Sequence, residues 1–297
     1  MTTKQPDEIA KAAVEAGVKK AHVRWDKVLV GSFLAGAYIA FGGLVAITVS
    51  SGLDPETWGT MPTLFMGAAF TLGLVLVLIA GSHLATGNMM LVPISALKGR
   101  LEIGEVARNL ALVIVGNLLG AMFVAYFLAV QTGVIGDVLA EAGTSGSLTY
   151  ERLAAIAEGK ALHETEWQIF LRAVGCNWLV CLAVWISLAA DSVGSKVIGV
   201  FFPVMAFVAM GFDHVVANMF FLPAAIFAGV PDIGWDDTLR NWVFAFAGNF
   251  IGAAVFVATS YWYLYLRDDD TPPAGQGGAA ERAGGATAVD EAGLTAS

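Results

Sequence analysis

Long apolar runs separated by short polar gaps dominate this chain. Sparsely charged runs cover residues 28–50, 61–97, 105–130, 167–190, 196–229 and 241–266. About 20 apolar residues in a helix cross the hydrocarbon core of a bilayer, so the pattern predicts six membrane-spanning helices. Residues 7–25 are polar, with Ile9, Ala13, Val18 and Ala21 on one helical face. They predict a short amphipathic helix, acting either as an interfacial anchor or as a cytoplasmic lid. Residues 268–297 are rich in Gly, Ala, Thr and acids, which predicts a disordered tail. The expected division is an N-terminal helix at 1–27, a membrane domain at 28–267 and a cytoplasmic tail at 268–297.

The membrane domain repeats itself. Arg108-Asn109, followed after six residues by Gly116-Asn117-Leu118-Leu119-Gly120-Ala121, is echoed by Arg240-Asn241 and Gly248-Asn249-Phe250-Ile251-Gly252-Ala253. Asn88-Met89-Met90-Leu91-Val92-Pro93 is echoed by Asn218-Met219-Phe220-Phe221-Leu222-Pro223. The offsets are 132 and 130 residues. Two ordered landmarks at nearly one offset imply two structural repeats, about 28–135 and 165–267. Three spans per repeat is an odd number, so the second repeat enters the membrane from the opposite side. The expected fold is all-α: six transmembrane helices as two inverted three-helix repeats.

Two runs are too long for one crossing. Residues 61–97 as one helix would measure about 55 Å, against a core of about 30 Å. The run 196–229 has the same excess. Each contains a polar, glycine-bearing stretch: Gly81-Ser82-His83-Leu84-Ala85-Thr86-Gly87-Asn88 in span two, and Gly211-Phe212-Asp213-His214 with Ala217-Asn218 in span five. These predict broken second and fifth helices, with Gly87, Asn88, Asp213 and Asn218 at the breaks. Irregular backbone at membrane depth survives only when buried in protein or lining a cavity, and paired interruptions point to the permeation site. The half-helices would aim their N-terminal amides at the centre, a setting suited to a small anion. Thr86, Asn88 and Asn218 are suitable N-caps, and capping alone would account for both asparagines.

Composition supports the membrane reading and removes others. Hydrophobic residues make up 57% and charged residues 14%, against about 25% charged in soluble domains. The net charge of −9 is no nucleic-acid signature. Lys11, Lys19, Lys20, Arg24 and Lys27 precede span one, Lys98 and Arg100 follow span two, and Arg267 closes span six. By the positive-inside rule both termini are cytoplasmic. The first 25 residues have no apolar core, so no cleavable signal is expected. The expected location is the inner (plasma) membrane. Cys176 and Cys181, five apart in span four, do not share a helical face and read as packing residues.

His214 carries the most chemistry. An ionisable side chain inside a span is a functional candidate, and imidazole changes charge near neutral pH. It could attract an anion or protonate one at mid-pore. His83, at the other break, is either a second titratable group or a packing residue. Asp213 either orients His214 or caps a helix. Asn177, midway along span four, is either helix–helix glue or part of the centre.

Ala173-Val174-Gly175-Cys176-Asn177-Trp178-Leu179-Val180-Cys181-Leu182-Ala183 resembles a signature of the formate/nitrite transporter family. Gly211-Phe212-Asp213-His214, continuing to Ala217-Asn218-Met219, resembles that family's G-F-[ED]-H-x-x-A-N-M segment. The likeness runs from about Lys11 to Arg267. It implies a homopentamer in the lipid bilayer, each protomer with its own pore and an aquaporin-like helix arrangement, and no cofactor. It implies a central His214–Thr86 pair bonded by Asn177, between apolar constrictions carried over to Phe70, Leu74, Leu84 and Phe207. It also implies a vestibule lysine, Lys160, which attracts anions and favours their protonation. The substrates implied are protons and small anions of weak acids: formate, nitrite, hydrosulfide or small monocarboxylates. Two positions depart from the family's pattern. His83 stands for an acid or serine, altering the charge of the filter. Ala85 stands for a bulky residue, widening it.

Two other classes compete. A neutral-solute channel of aquaporin type shares the inverted half-helix plan but would need two Asn-Pro-Ala turns, which this sequence lacks. A membrane enzyme would need a cluster of ligands or a nucleophile with its base. His22, His83, His163 and His214 are scattered instead.

Overall fold

The structure, a computed structural model, describes residues 4–268. The tail expected at 268–297 lies outside the described residues apart from Asp268. The described residues form helices α1 (Pro6–Ala21), α2 (Trp25–Ser50), α3 (Pro55–Trp58), α4 (Met61–Ala80), α5 (Ala85–Leu97), α6 (Ile103–Val130), α7 (Ser145–Glu158), α8 (Glu166–Ala189), α9 (Val193–Ala209), α10 (Val215–Ala228) and α11 (Trp235–Tyr265). Five of them, α2, α4, α6, α8 and α11, are long and apolar enough to cross a membrane. The shorter apolar helices α5, α9 and α10 fill the space between. The last of the six predicted runs begins six residues earlier than its hydropathy suggests, at Trp235. Asp236 and Asp237 occupy its first turn; they lower the apolar score but complement the helix's positive end.

The two overlong runs are broken. The chain leaves α4 at Gly81 (φ 79°) and α9 just before Gly211 (φ 69°), and re-enters helix at Ala85 and Val215. These left-handed turns favour glycine. The breaks therefore fall earlier than expected. Asp213 lies in a break, but Gly87, Asn88 and Asn218 lie inside the first turns of α5 and α10. The capping expectation is also corrected. The residue before α5 is Leu84, whose side chain caps nothing, and α10 is capped by His214. Thr86, Asn88 and Asn218 spend their side chains on other side chains, those of His214, Asn109, and Asp213 with Asn241, respectively.

Packing has a twofold logic. In the first half α2 packs on α4 and α6; in the second, α8 packs on α9 and α11. The halves meet where α4 lies against α9. Each short half-helix also crosses over: α5 packs on Ala254–Thr259 of α11, and α10 on Val124–Val130 of α6. Both of those segments are π-helical. Glycines permit the close approaches. An added Cβ at Gly120 would lie 1.9 Å from the Phe33 carbonyl oxygen, and one at Gly252 would lie 2.3 Å from that of Val174. Helix α1 is docked on protein, burying Ile9, Ala10, Ala13, Val14, Gly17 and Ala21. Its contact with α5 is so close that a Cβ on Gly17 would sit 1.9 Å from the Leu91 carbonyl oxygen.

Candidate functional site

Each break is held by one buried asparagine from the repeated Gly-Asn motif. Asn117 on α6 accepts from the Ala85 amide (2.8 Å) and donates to the carbonyls of Ser32 (2.8 Å) and His83 (2.9 Å). Asn249 on α11 accepts from the Val215 amide (2.8 Å) and donates to the carbonyls of Ala173 (2.8 Å) and Asp213 (2.8 Å). Backbone polar groups freed by a broken helix must find partners in an apolar setting. Here two side chains supply them, in the same pattern, one per half.

A second layer repeats as faithfully. Asn88 donates to Asn109 (2.9 Å), which donates to the Lys20 carbonyl (3.0 Å). Asn218 donates to Asn241 (2.8 Å), which donates to the Lys160 carbonyl (3.2 Å). Arg108 donates to the carbonyl of Ala21 and Arg240 to that of Ala161. The end of α1 thus corresponds to the turn after α7, and Lys20 to Lys160. The sequence signal was small: Lys-Ala in both places, but at an offset of 140 residues and without an apolar pattern.

Between the breaks, His214 and Thr86 meet. His214 Nε2 lies 2.8 Å from Thr86 Oγ1, and both residues are buried. The Ala217 amide donates to His214 Nδ1 at 3.1 Å. An amide can only donate, so Nδ1 is the bare nitrogen; in the neutral ring the proton sits on Nε2, which donates to Thr86. Cationic imidazole would have to surrender this helix cap. Asn177, fully buried, donates to the carbonyls of Thr86 (3.2 Å) and Asn249 (2.8 Å), joining the centre to the second break. The Phe207 ring lies 6.0 Å from His214 and 6.0 Å from Phe70. Leu74 and Leu84 lie on the other side, lining a cavity of about 30 Å³ with Lys20, Gly87 and Asn88, room for a water or two. Ala85 is fully buried at the start of α5.

Beyond the centre the halves diverge. Lys160 donates to Asp213 Oδ1 at 2.7 Å, and Asp213 is fully buried. Glu164, which is ion-paired to Arg172, also interacts with Asp213 and Lys160. Neither Glu164 nor Arg172 stood out in the sequence: Glu164 lies in the turn before α8 and Arg172 in the second turn of α8, both outside the quoted motifs. Burial, and then the Asp213 charge, push the Glu164 carboxyl up to about 7. In the first half Lys20 meets no carboxylate among the described residues; it donates to the Ser82 carbonyl at 3.1 Å, and burial lowers it to about 8. His83 stands where the second half has Asp213, and its Nδ1 is buried with no partner. Its ring packs toward Gly31, where an added Cβ would lie 2.7 Å away.

Apolar helices broken around a buried polar centre, with long spans on either side, define a membrane channel or transporter. The chain belongs to the formate/nitrite transporter family, whose sequence profile it matches over residues 7–263. It is 46% identical over 274 residues to a probable formate transporter of Methanothermobacter thermautotrophicus, covering 89% of this chain and 98% of that one. It is 41% identical over 268 residues to the formate channel BtFdhC of Bacillus thuringiensis, covering 90% and 98%. Among solved structures it resembles a pentameric formate channel with formate bound, with a TM-score of 0.70 and 29% identity, covering 82% of this chain and 98% of that one.

Proposed function

We propose that this protein conducts formate and similar small anions of weak acids across the inner membrane, faster as the pH outside falls. The carrying observation is the His214–Thr86 bond, buried between the broken helices and flanked by Phe207 and Phe70. An anion entering an apolar slit loses its hydration, which is far more costly for a charge than for a neutral acid. Lys160 draws the anion to one mouth and proton uptake there neutralises it. The neutral acid crosses the slit. At the centre, His214 Nε2–H and Thr86 Oγ1 replace lost water with hydrogen bonds, and the amides of α5 and α10 favour any returning negative charge. The likeness to a pentameric formate channel supports a homopentamer; the paired breaks and repeated asparagines support two inverted halves, and the basic residues flanking the first and last spans support both termini inside.

The reading links protons to transport at the Lys160 mouth, where the acid is neutralised, and at the centre, where neutral His214 holds it. The test is uptake into proteoliposomes of formate, acetate, nitrite and hydrosulfide at two external pH values. Formate entry should exceed that of protein-free vesicles and rise at the lower pH, and His214→Asn should flatten the pH response. Flux indistinguishable from empty vesicles for all four anions would end the proposal. An unaltered pH profile in His214→Asn would remove the histidine from it. Ala85→Phe tests the widened filter: selection against acetate should sharpen relative to formate.

A further inference from the structure

Four ionisable side chains from three parts of the chain meet beside the second break. Lys160 follows α7, Glu164 precedes α8, Arg172 is on α8, and Asp213 lies in the break itself. Asp213 Oδ1 receives two donors, Lys160 Nζ at 2.7 Å and Asn218 Nδ2 at 2.8 Å. Glu164 Oε1 receives Arg172. The remaining oxygens, Asp213 Oδ2 and Glu164 Oε2, are both buried and receive no donor among the described residues. The two carboxyl groups act on each other directly.

Two ionised carboxylates cannot bond, since each only accepts. A buried acceptor without a donor is expensive, and more so when charged. One proton removes both faults at once. We propose that Glu164 and Asp213 share a single proton between Oε2 and Oδ2, and that this proton sets the charge at the Lys160 mouth of the conduit. Glu164 is a positioning residue in this scheme: it holds the proton and acts through Lys160 and Asp213. With the proton bound, two cations face one anionic carboxyl and the group carries a net positive charge. Without it the four charges cancel. The other groups around the cluster do not compensate. Arg240 on α11 is engaged by Glu166 and the Ala161 carbonyl. Cys176 on α8 is a buried thiol, and His163 lies in the same turn as Lys160.

The link to transport rests on the anion-channel reading; the shared proton does not. One added charge about 12 Å from an entering anion, at an effective dielectric of about 20, changes its local concentration up to about tenfold. The experiment has two arms. In the first, infrared spectra of the wild-type protein in lipid, with and without carboxyl-¹³C glutamate, are taken from about pH 5 to about pH 9. A protonated-carboxyl band that shifts on glutamate labelling and disappears with a midpoint near 7 is expected. If no glutamate band titrates above the ordinary carboxylate range, the shared proton is overturned. This arm needs no variant and no transport. In the second, formate entry is compared in wild type and Glu164→Gln, whose neutral amide mimics the protonated acid. The variant-to-wild-type ratio should rise by up to about tenfold between about pH 6 and about pH 8. A constant ratio with intact wild-type flux overturns the role at the mouth, whereas absent flux in the wild type sinks the channel reading instead.

Discussion

The two breaks are built alike and equipped differently. Asn117 and Asn249 hold them with the same three bonds, and Asn88–Asn109 and Asn218–Asn241 brace them with the same chain. The side chains added to that scaffold then part company. The first break gives Lys20 a backbone carbonyl, that of Ser82, with the His83 ring beside Gly31; the second gives Lys160 the carboxylate of Asp213. At the centre, Thr86 occupies the position that Val216 occupies in the other half. Backbone satisfaction is the same problem on both sides and receives one solution. Charge is not the same problem, because the two mouths face different compartments in the proposed arrangement.

This contrast can be broken at four places. The largest effect belongs to the shared scaffold. Asn117→Ala and Asn249→Ala each strand three buried backbone groups, and each should destabilise by about 3–9 kcal/mol. Thermal unfolding in detergent measures it; a large loss in only one half would show that the scaffolds are not equivalent. Next is Lys160→Met, which leaves Asp213 buried without its cation and should destabilise by about 3–5 kcal/mol. Thr86→Val makes the two central positions alike and strands the His214 Nε2–H. It should destabilise by about 1–3 kcal/mol and reduce formate flux, read by uptake into vesicles. The smallest effect is expected for Lys20→Met, which should cost nothing near neutral pH, because no carboxylate is stranded and the cost of burying a charged lysine held near 8 is removed. Its signature is in the pH dependence. Lys20 is held near 8 when folded, against 10.5 for an ordinary lysine. The unfolded chain therefore binds more protons across that window, and wild-type stability should rise with pH through it. In Lys20→Met that rise should disappear from the unfolding midpoints. Glu164 has the opposite sign. Its folded value lies above the ordinary one, so its contribution is lost as pH rises through about 7.

Much of this was visible in the sequence, for reasons that also explain what was not. Hydropathy marks spans because every residue in a run contributes, so the long helices and the excess length of two of them are legible. The landmarks Asn109, Asn117, Asn241 and Asn249 were legible as a repeat, but their task was not. An asparagine that braces a broken helix and one that caps a helix have the same spelling. The stretches that hold the breaks, beginning at Gly81 and Gly211, are legible, but not where the helices restart: Asn88 and Asn218 read as caps, whereas helix resumes before them at Ala85 and Val215. Family resemblance named His214, Thr86 and Asn177 together, and they are in contact; their part in transport is the proposal above. The pairing of α1 with α7 escaped notice because the two stretches share only Lys-Ala. Glu164 and Arg172 are not legible because an ion pair eight residues apart, across the start of a helix, is a property of three-dimensional proximity, with no spacing rule to betray it.

The cap on His214 has a further consequence. With Nδ1 tied to the Ala217 amide and Nε2 tied to Thr86, the ring has no free edge and no cheap half-turn. It behaves as a fixed post between two walls, not as a swinging arm that ferries cargo. Nitrogen NMR of the labelled ring should accordingly show a single tautomer that does not interconvert, and whatever passes must do so by exchanging places with a hydroxyl.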